Sequence, residues 1–445
     1  MKTSLRILFG LAILISTIHP SAKAQDSKEQ EKMEWFQEAK LGVFIHWGIY
    51  AVNGIDESWS FFNDYISHED YMKQLDGFNA SKYDPEKWAS LIQESGAKYA
   101  VLTAKHHDGV ALWDTKASDL NVVDKTPAKR DLVGPFMKAL ENKGLKKGIY
   151  FSVLDWSHPD YDRKTRTQYR YKDNPEKFQK FVDFNFKQLE ELSLNYHPDL
   201  YWFDGDWEHK AEEWKSQKLK SQLQEWNPNI IINSRIGGNL GDYATPEQGV
   251  PVTSPDSKYW ELCLTMNNSW GYQRNDLAYK SPSELLRIFV DCLHMGGNLL
   301  LDIGPKADGT FPEQSVDILK SFGRWTSKHA SAIYETQAGI PEGHVYAPTT
   351  LSEDKTILYI YLDYKVNESL VIKGLKNKIN RIWVVGDGTK LSHREVGKQY
   401  WSHIPGLKYI DIPDHVYDKD ITVLAVLLDG PVELYREKGQ VIESN

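Results

Sequence analysis

Cysteine is nearly absent: there are two in 445 residues, Cys263 and Cys292. So few exclude a disulfide scaffold, and whether these two pair is not readable from their positions. Positive charge is also in deficit. Against 62 Asp and Glu stand 53 Lys and Arg, a formal net charge of −9, which argues against a nucleic-acid partner, since that calls for a basic stripe. The apolar run near the N-terminus, residues 7–18, is too short for a stable membrane span. No Gly-x-Gly-x-x-Gly turn follows the first strand-like run, which disfavours a dinucleotide-binding sheet. Neither His-x-His nor His-Glu-x-x-His occurs, which weakens a zinc reading.

What is present begins with a leader. Lys2 and Arg6 flank that apolar run, and Ala22-Lys23-Ala24 offers a small-x-small cleavage site. Residues 1–24 therefore read as a secretory signal peptide, with an exported, periplasmic or secreted product. No cysteine follows the cut to take a lipid, so no membrane anchor is expected. A mature chain of about 420 residues exceeds what one core usually supports, so two domains are expected. Aromatic residues make up 12% of the chain, with 15 Trp and 24 Tyr. Flat rings in an exported protein suit sugar binding, whose C–H surfaces stack on them.

Strand-like and helix-like runs alternate between residues 40 and 335. Strands are expected at 41–46, 98–104, 147–154, 199–204, 229–235 and 298–304. Helices are expected at 85–95, 132–142, 175–194, 212–226, 281–294 and 312–332, several opened by Pro or closed by Gly. Repeated βα units predict a parallel sheet covered by helices, and the length suits a (β/α)8-like barrel over residues 25–340, with irregular units between 236 and 270. From residue 341 to 445 only short β runs with turn residues follow, at 356–363, 369–373, 381–385, 408–412 and 422–428. These predict an antiparallel β-sandwich.

The strand ends carry the chemistry. The run 199–207, Asp-Leu-Tyr-Trp-Phe-Asp-Gly-Asp-Trp, delivers a carboxylate, Asp204, to a C-terminal strand tip, where barrels present catalytic groups. Period two puts Leu200, Trp202 and Asp204 on one face. The same counting groups Leu102, Ala104 and His106, and Ile231, Asn233 and Arg235. The first strand ends in His46 and the second in Lys105-His106-His107-Asp108. Two readings fit the histidines: metal ligands, or neutral imidazoles donating to hydroxyls. Adjacent histidines on a strand point to opposite faces, so the second is preferred, with neither metal nor cofactor required.

Four segments carry a resemblance: His46-Trp-Gly-Ile-Tyr50, Ala104-Lys-His-His-Asp-Gly109, Trp202-Phe-Asp-Gly-Asp-Trp207 and Gly296-Gly-Asn-Leu-Leu-Leu-Asp-Ile-Gly-Pro305. In this order, from about residue 30 to 340, the chain resembles the family-29 glycoside hydrolases, the exo-acting α-L-fucosidases. The β-rich tail agrees with that family's C-terminal sandwich.

The resemblance implies hydrolysis of terminal α-L-fucose from fucosylated oligosaccharides or glycoconjugates, with retention through a covalent fucosyl-enzyme. It assigns Asp204 as nucleophile and Asp206 a supporting part. His46, His106, His107, Trp59, Trp202 and Arg235 map onto substrate-binding positions, and Trp270 onto contact with the sugar's methyl face. Ser58 departs from the pattern, standing where Glu is common, with Glu57 beside it. The acid/base falls in a variable loop: Glu247 is preferred, twelve residues beyond Arg235, with Glu261 as the alternative. Retention needs the two carboxyls about 5–5.5 Å apart. The intact Asp204 argues against the rival reading, a catalytically silent fucose-binding protein on the same fold.

Overall fold

The computed structural model describes residues 22–437; the expected leader, except for its last three residues, lies outside them. Seven strands form a parallel sheet: β1 (Leu41–Ile45), β2 (Tyr99–Lys105), β3 (Lys146–Ser152), β4 (Leu200–Asp204), β5 (Ile231–Ile232), β6 (Glu261–Thr265) and β7 (Asn298–Ile303). Their order is β5-β4-β3-β2-β1-β7-β6. Residues 243–247 run beside both edge strands. They make single parallel bridges from Tyr243 to Asn233, from Ala244 to Trp260 and from Glu247 to Cys263. In place of the eight strands expected, the described residues form seven, and these bridges lie in the stretch expected to be irregular.

Helices cover the sheet because their starts are chemically marked. At Pro85–Glu94, Pro175–Tyr196 and Pro282–His294, the side chain of the preceding residue (Asp84, Asn174 or Ser281) accepts the N–H of the third helical residue. Proline follows at the first helical position, where its missing N–H costs nothing. Inside the sheet lie Phe44, Tyr99, Val101, Tyr150, Leu200, Trp202 and Leu300. Met33 and Phe36, from the helix Ala22–Ala39, join them. The Phe36 carbonyl accepts from Asn298, the first residue of β7. This helix therefore covers the N-terminal ends of the strands and leaves the C-terminal ends for a site.

Several expectations need correction, among them the strand 229–235, which shortens to β5, and the helix 312–332, which is Glu313–Lys328 followed by Ala330–Ile333. The stretch left as irregular contains β6, whose leading Glu261 disguises an apolar strand. The expected helix 212–226 is two, Ala211–Trp214 and Ser216–Trp226, broken at Lys215 with φ of 54°. Period two fails in β2. Tyr99 and Val101 face inward, while Leu102 and Ala104 pack in the outer, helix-side core. The register against β3 slips between Thr103 and Lys105. This bulge sends Lys105 outward and turns His106 inward. Lys105 is fully buried and donates to Asn185 at 3.0 Å and Gln188 at 2.9 Å.

The remaining strands are antiparallel. One sheet has the order β12-β15-β10-β9-β8 and the other β11-β14-β13. The first contains β8 (Thr336–Ala338), β9 (Thr349–Ser352), β10 (Ile357–Leu362), β12 (Ile379–Val384) and β15 (Thr422–Leu428), the second β11 (Ser369–Ile372), β13 (His393–Val396) and β14 (Leu407–Asp411). Leu358, Ile360 and Val426 meet Leu370, Ile372 and Ile410 in the core between them. The alternate residues Tyr359, Tyr361, Val423 and Ala425 belong to the main core instead. The five-stranded sheet is thus buried on both faces. Arg324 and Lys328 both pair with Asp418 across this junction, at 2.9 and 2.7 Å.

Asn233 splices the sheet where β5 ends. Its side chain accepts from the Phe203 N–H at 2.8 Å and donates to the Phe203 carbonyl at 2.9 Å. Replacing it with Ala strands two buried backbone groups next to Asp204. Asn233→Ala is expected to lower stability by about 2–3 kcal/mol in urea unfolding; an unchanged midpoint would show that water replaces the amide at no cost.

Candidate active site

At the C-terminal tips of the strands, side chains from six of them converge. Asp204 ends β4 and is 8% exposed. One of its oxygens accepts from Arg235 Nη1 at 3.0 Å and the other from the Tyr150 hydroxyl at 2.8 Å. His107 Nε2 lies 3.6 Å from that second oxygen. Arg235, in the short turn Ser234–Ile236 after β5, also donates through Nη2 to Glu247 at 2.6 Å. One guanidinium therefore holds both carboxylates, and its planar fork fixes their relative direction. Its flat face lies over Trp202, 4.6 Å from the ring centroid.

The three histidines are each oriented through Nδ1. Asp302 meets that nitrogen of His46 at 2.6 Å, Ser58 that of His106 at 2.6 Å, and Ser152 that of His107 at 2.6 Å. Burial pushes His46 and His107 down to about 3, and His106 well below its usual range. Burial pushes the Asp302 carboxyl well up. Asp302 thus fixes the His46 ring through Nδ1. His107 behaves differently. The Ser152 hydroxyl donates to the Leu154 carbonyl at 2.7 Å, so its oxygen accepts from His107 Nδ1, and the neutral ring offers an Nε2 lone pair. The expectation that all three imidazoles donate is corrected here: His107 is an acceptor.

Aromatic rings wall the basin. Trp202 lies beneath Asp204, with Tyr150 stacked 5.7 Å away and Phe44 at 5.0 Å. Trp270 is 5.0 Å from the His46 ring, and Trp59 is 5.6 Å from that of His107. Most of the expected site residues border this basin. Glu261 does not. It is fully buried under Trp202, accepting from Trp202 Nε1 at 2.9 Å and from the Tyr99 hydroxyl. Glu57 turns away too: it is buried and accepts from the Gly271 N–H beside Trp270. Burial pushes its carboxyl up to about 8. Asp206 is half-buried, and burial followed by the charge of Asp204 raises its pKa. Cys263 and Cys292 are buried free thiols.

Tyr150, Asp302 and Ser152 escaped the reading of the sequence. Period two counted back from Ser152 places Tyr150 on the same inward face. Asp302 was a lone carboxylate in an apolar strand, a costly residue unless it has a partner.

Comparison with known proteins agrees with this geometry. The family model for alpha-L-fucosidase matches residues 15–331. The chain belongs to the α-L-fucosidase family. It is a glycoside hydrolase. Human tissue alpha-L-fucosidase is 36% identical over 337 residues, covering 68% of this chain and 69% of its own. Isoenzyme 1 of the Paenibacillus thiaminolyticus enzyme superposes with a TM-score of 0.84 at 32% identity, covering 90% of this chain and 100% of that one. A family-29 α-L-fucosidase of Bacteroides thetaiotaomicron, trapped as a covalent intermediate, gives 0.81 at 27% identity, covering 90% and 96%.

The buried Glu261 has a measurable consequence. Burial, opposed by the hydrogen bonds from Tyr99 and Trp202, raises its pKa from the ordinary 4.5 to about 7. A carboxyl raised in the folded state binds its proton more tightly there than in the unfolded chain. Its favourable contribution is complete below the unfolded pKa of about 4.5 and is lost as pH rises through about 7. Glu261→Gln carries no titrating group. Its melting temperature relative to wild type is therefore expected to rise between pH 5 and pH 8; a difference independent of pH would refute the shift.

Proposed function

We propose that this enzyme is an exo-acting, retaining α-L-fucosidase. It takes terminal α-L-fucose from oligosaccharides or glycoconjugates through a covalent fucosyl-enzyme, with Asp204 as nucleophile and Glu247 as acid/base. The observation that carries this reading is the single Arg235 guanidinium joining Asp204 and Glu247. Retention requires two carboxyls about 5–5.5 Å apart, and a guanidinium fork holding one oxygen of each supports that spacing. The homologue trapped as a covalent intermediate supports the same route.

The steps follow from the residues in place. A fucose ring enters above Trp202, with hydroxyls meeting His46 Nε2–H as donor and His107 Nε2 as acceptor. His106, Trp59 and Trp270 complete the enclosure. An Asp204 oxygen attacks C1 as the C1–O bond breaks, and the departing oxygen takes the proton of Glu247. Glu247 must leave its ion pair with Arg235 to carry that proton. It is suited to do so: its side chain is 39% exposed. Water then gives a proton to Glu247 and attacks C1, freeing fucose and Asp204. Glu261, with both oxygens engaged under Trp202, orients that ring and takes no part in the proton transfers. The leader-like residues 1–24 support an exported enzyme.

The decisive experiment is hydrolysis of an aryl α-L-fucoside with azide rescue. Asp204→Gly is expected to lose activity by about a thousandfold or more and to regain it with azide, giving β-L-fucosyl azide. Glu247→Ala is expected to give α-L-fucosyl azide, and Glu261→Ala neither product. If the α-azide forms with Glu261→Ala instead, the acid/base assignment is wrong. If wild type cleaves neither the aryl fucoside nor a fucosylated oligosaccharide, the balance moves to the catalytically silent fucose-binding protein.

A further inference from the structure

The loop after β4 leaves a large ring in water. Trp207 is 52% exposed, three residues beyond Asp204. Its plane lies 15° from that of Trp59, with centroids 6.3 Å apart. It also meets His107 edge-on at 5.8 Å. His107 is the neighbour of Asp204, so the exposed indole begins where the fucose pocket ends.

This ring is held out, not merely left out. The neighbouring Glu208 side chain is 5% exposed. It accepts from the Tyr161 hydroxyl at 2.6 Å, from Arg163 Nη1 at 3.1 Å and from Trp156 Nε1 at 3.4 Å. On the other side Trp214 Nε1 donates to the Asp206 carbonyl at 3.1 Å. The turn Asp206–Glu208 is thus clamped from both ends. Behind it the rings continue inward: Trp59 lies 5.1 Å from Trp156, and Trp156 stacks on Phe62 at 3.9 Å. A fixed, exposed indole binds without the entropy of ordering a loop. Its flat apolar face matches the C–H face of a neutral sugar ring.

We propose that Trp207 binds the sugar to which the fucose is attached, so that the preferred substrate is a fucosylated glycan and not a simple fucoside. The proposal rests on the fucosidase reading above. An exo-acting site encloses one terminal residue, so the rest of the glycan leaves over the rim. Trp207 provides an apolar surface on that rim that is continuous with the pocket wall.

The test compares kcat/KM for wild type, Trp207→Ala and Trp207→Phe on α-L-fucosyl fluoride, which lacks a leaving sugar, and on lactose carrying α1,2- or α1,3-linked fucose. Trp207→Ala is expected to lose about tenfold more on the better fucosyl-lactose than on the fluoride, and Trp207→Phe to recover most of that difference. Equal losses on both substrates, or no loss on the oligosaccharide, would overturn the proposal. So would a wild type that cleaves the fluoride but neither fucosyl-lactose. A wild type inert towards all of them would overturn the fucosidase reading, and this proposal with it.

Discussion

A carboxylate as buried as Asp204 is tolerable only beside a partner of opposite sign. Arg235 is that partner, and much of the surrounding architecture serves to put it there. Asn233 ends β5 early by bonding its amide to the Phe203 backbone, and the chain turns at once into the short helix carrying Arg235. The indole of Trp202 supports the guanidinium from below, and Glu261 holds the indole by its N–H. A buried acid, an indole, a cation and the Asp204 carboxylate thus form one stack, each ordered by the member beneath it.

The same dry environment sets the state of the histidines. Burial removes the charge from all three, so each acts through hydrogen-bond polarity. That polarity is set by whatever faces Nδ1: the Asp302 carboxyl for His46, and for His107 a serine whose hydrogen is already given away. The pocket thereby presents a donor and an acceptor at defined places, which is what a polyol requires and what a charged cluster would not provide. The aromatic walls exclude water and so strengthen each of these contacts.

The C-terminal sheets contribute at a distance. One face of the five-stranded sheet belongs to the same core as the helices. The Arg324 and Lys328 pairs with Asp418 lock the helix Glu313–Lys328, which follows β7, to the loop before β15. This holds the β7 side of the sheet, where Asp302 orients His46.

Much was legible in the sequence because it is written locally. Apolar runs bounded by Pro and Gly mark the strands and helices, and Asp204, His46, His106, His107 and Arg235 sit at strand ends that can be counted off. The four motifs were specific enough to point to the family. Three-dimensional packing decided the rest. The bulge in β2 reversed a face that period two had assigned, because one extra residue shifts every later side chain by half a period. β6 was hidden by Glu261, whose burial makes sense only once Trp202 and Tyr99 are seen above it. Ser152 fixes the tautomer of His107 from another strand, and Glu208 holds Trp207 in water through residues of another loop. The sequence by itself determined which groups reach the strand tips, because alternation and termination are local properties of a chain. Only the tertiary structure decided which of them share a proton, an ion pair or a ring face, because those depend on distances between segments far apart in sequence.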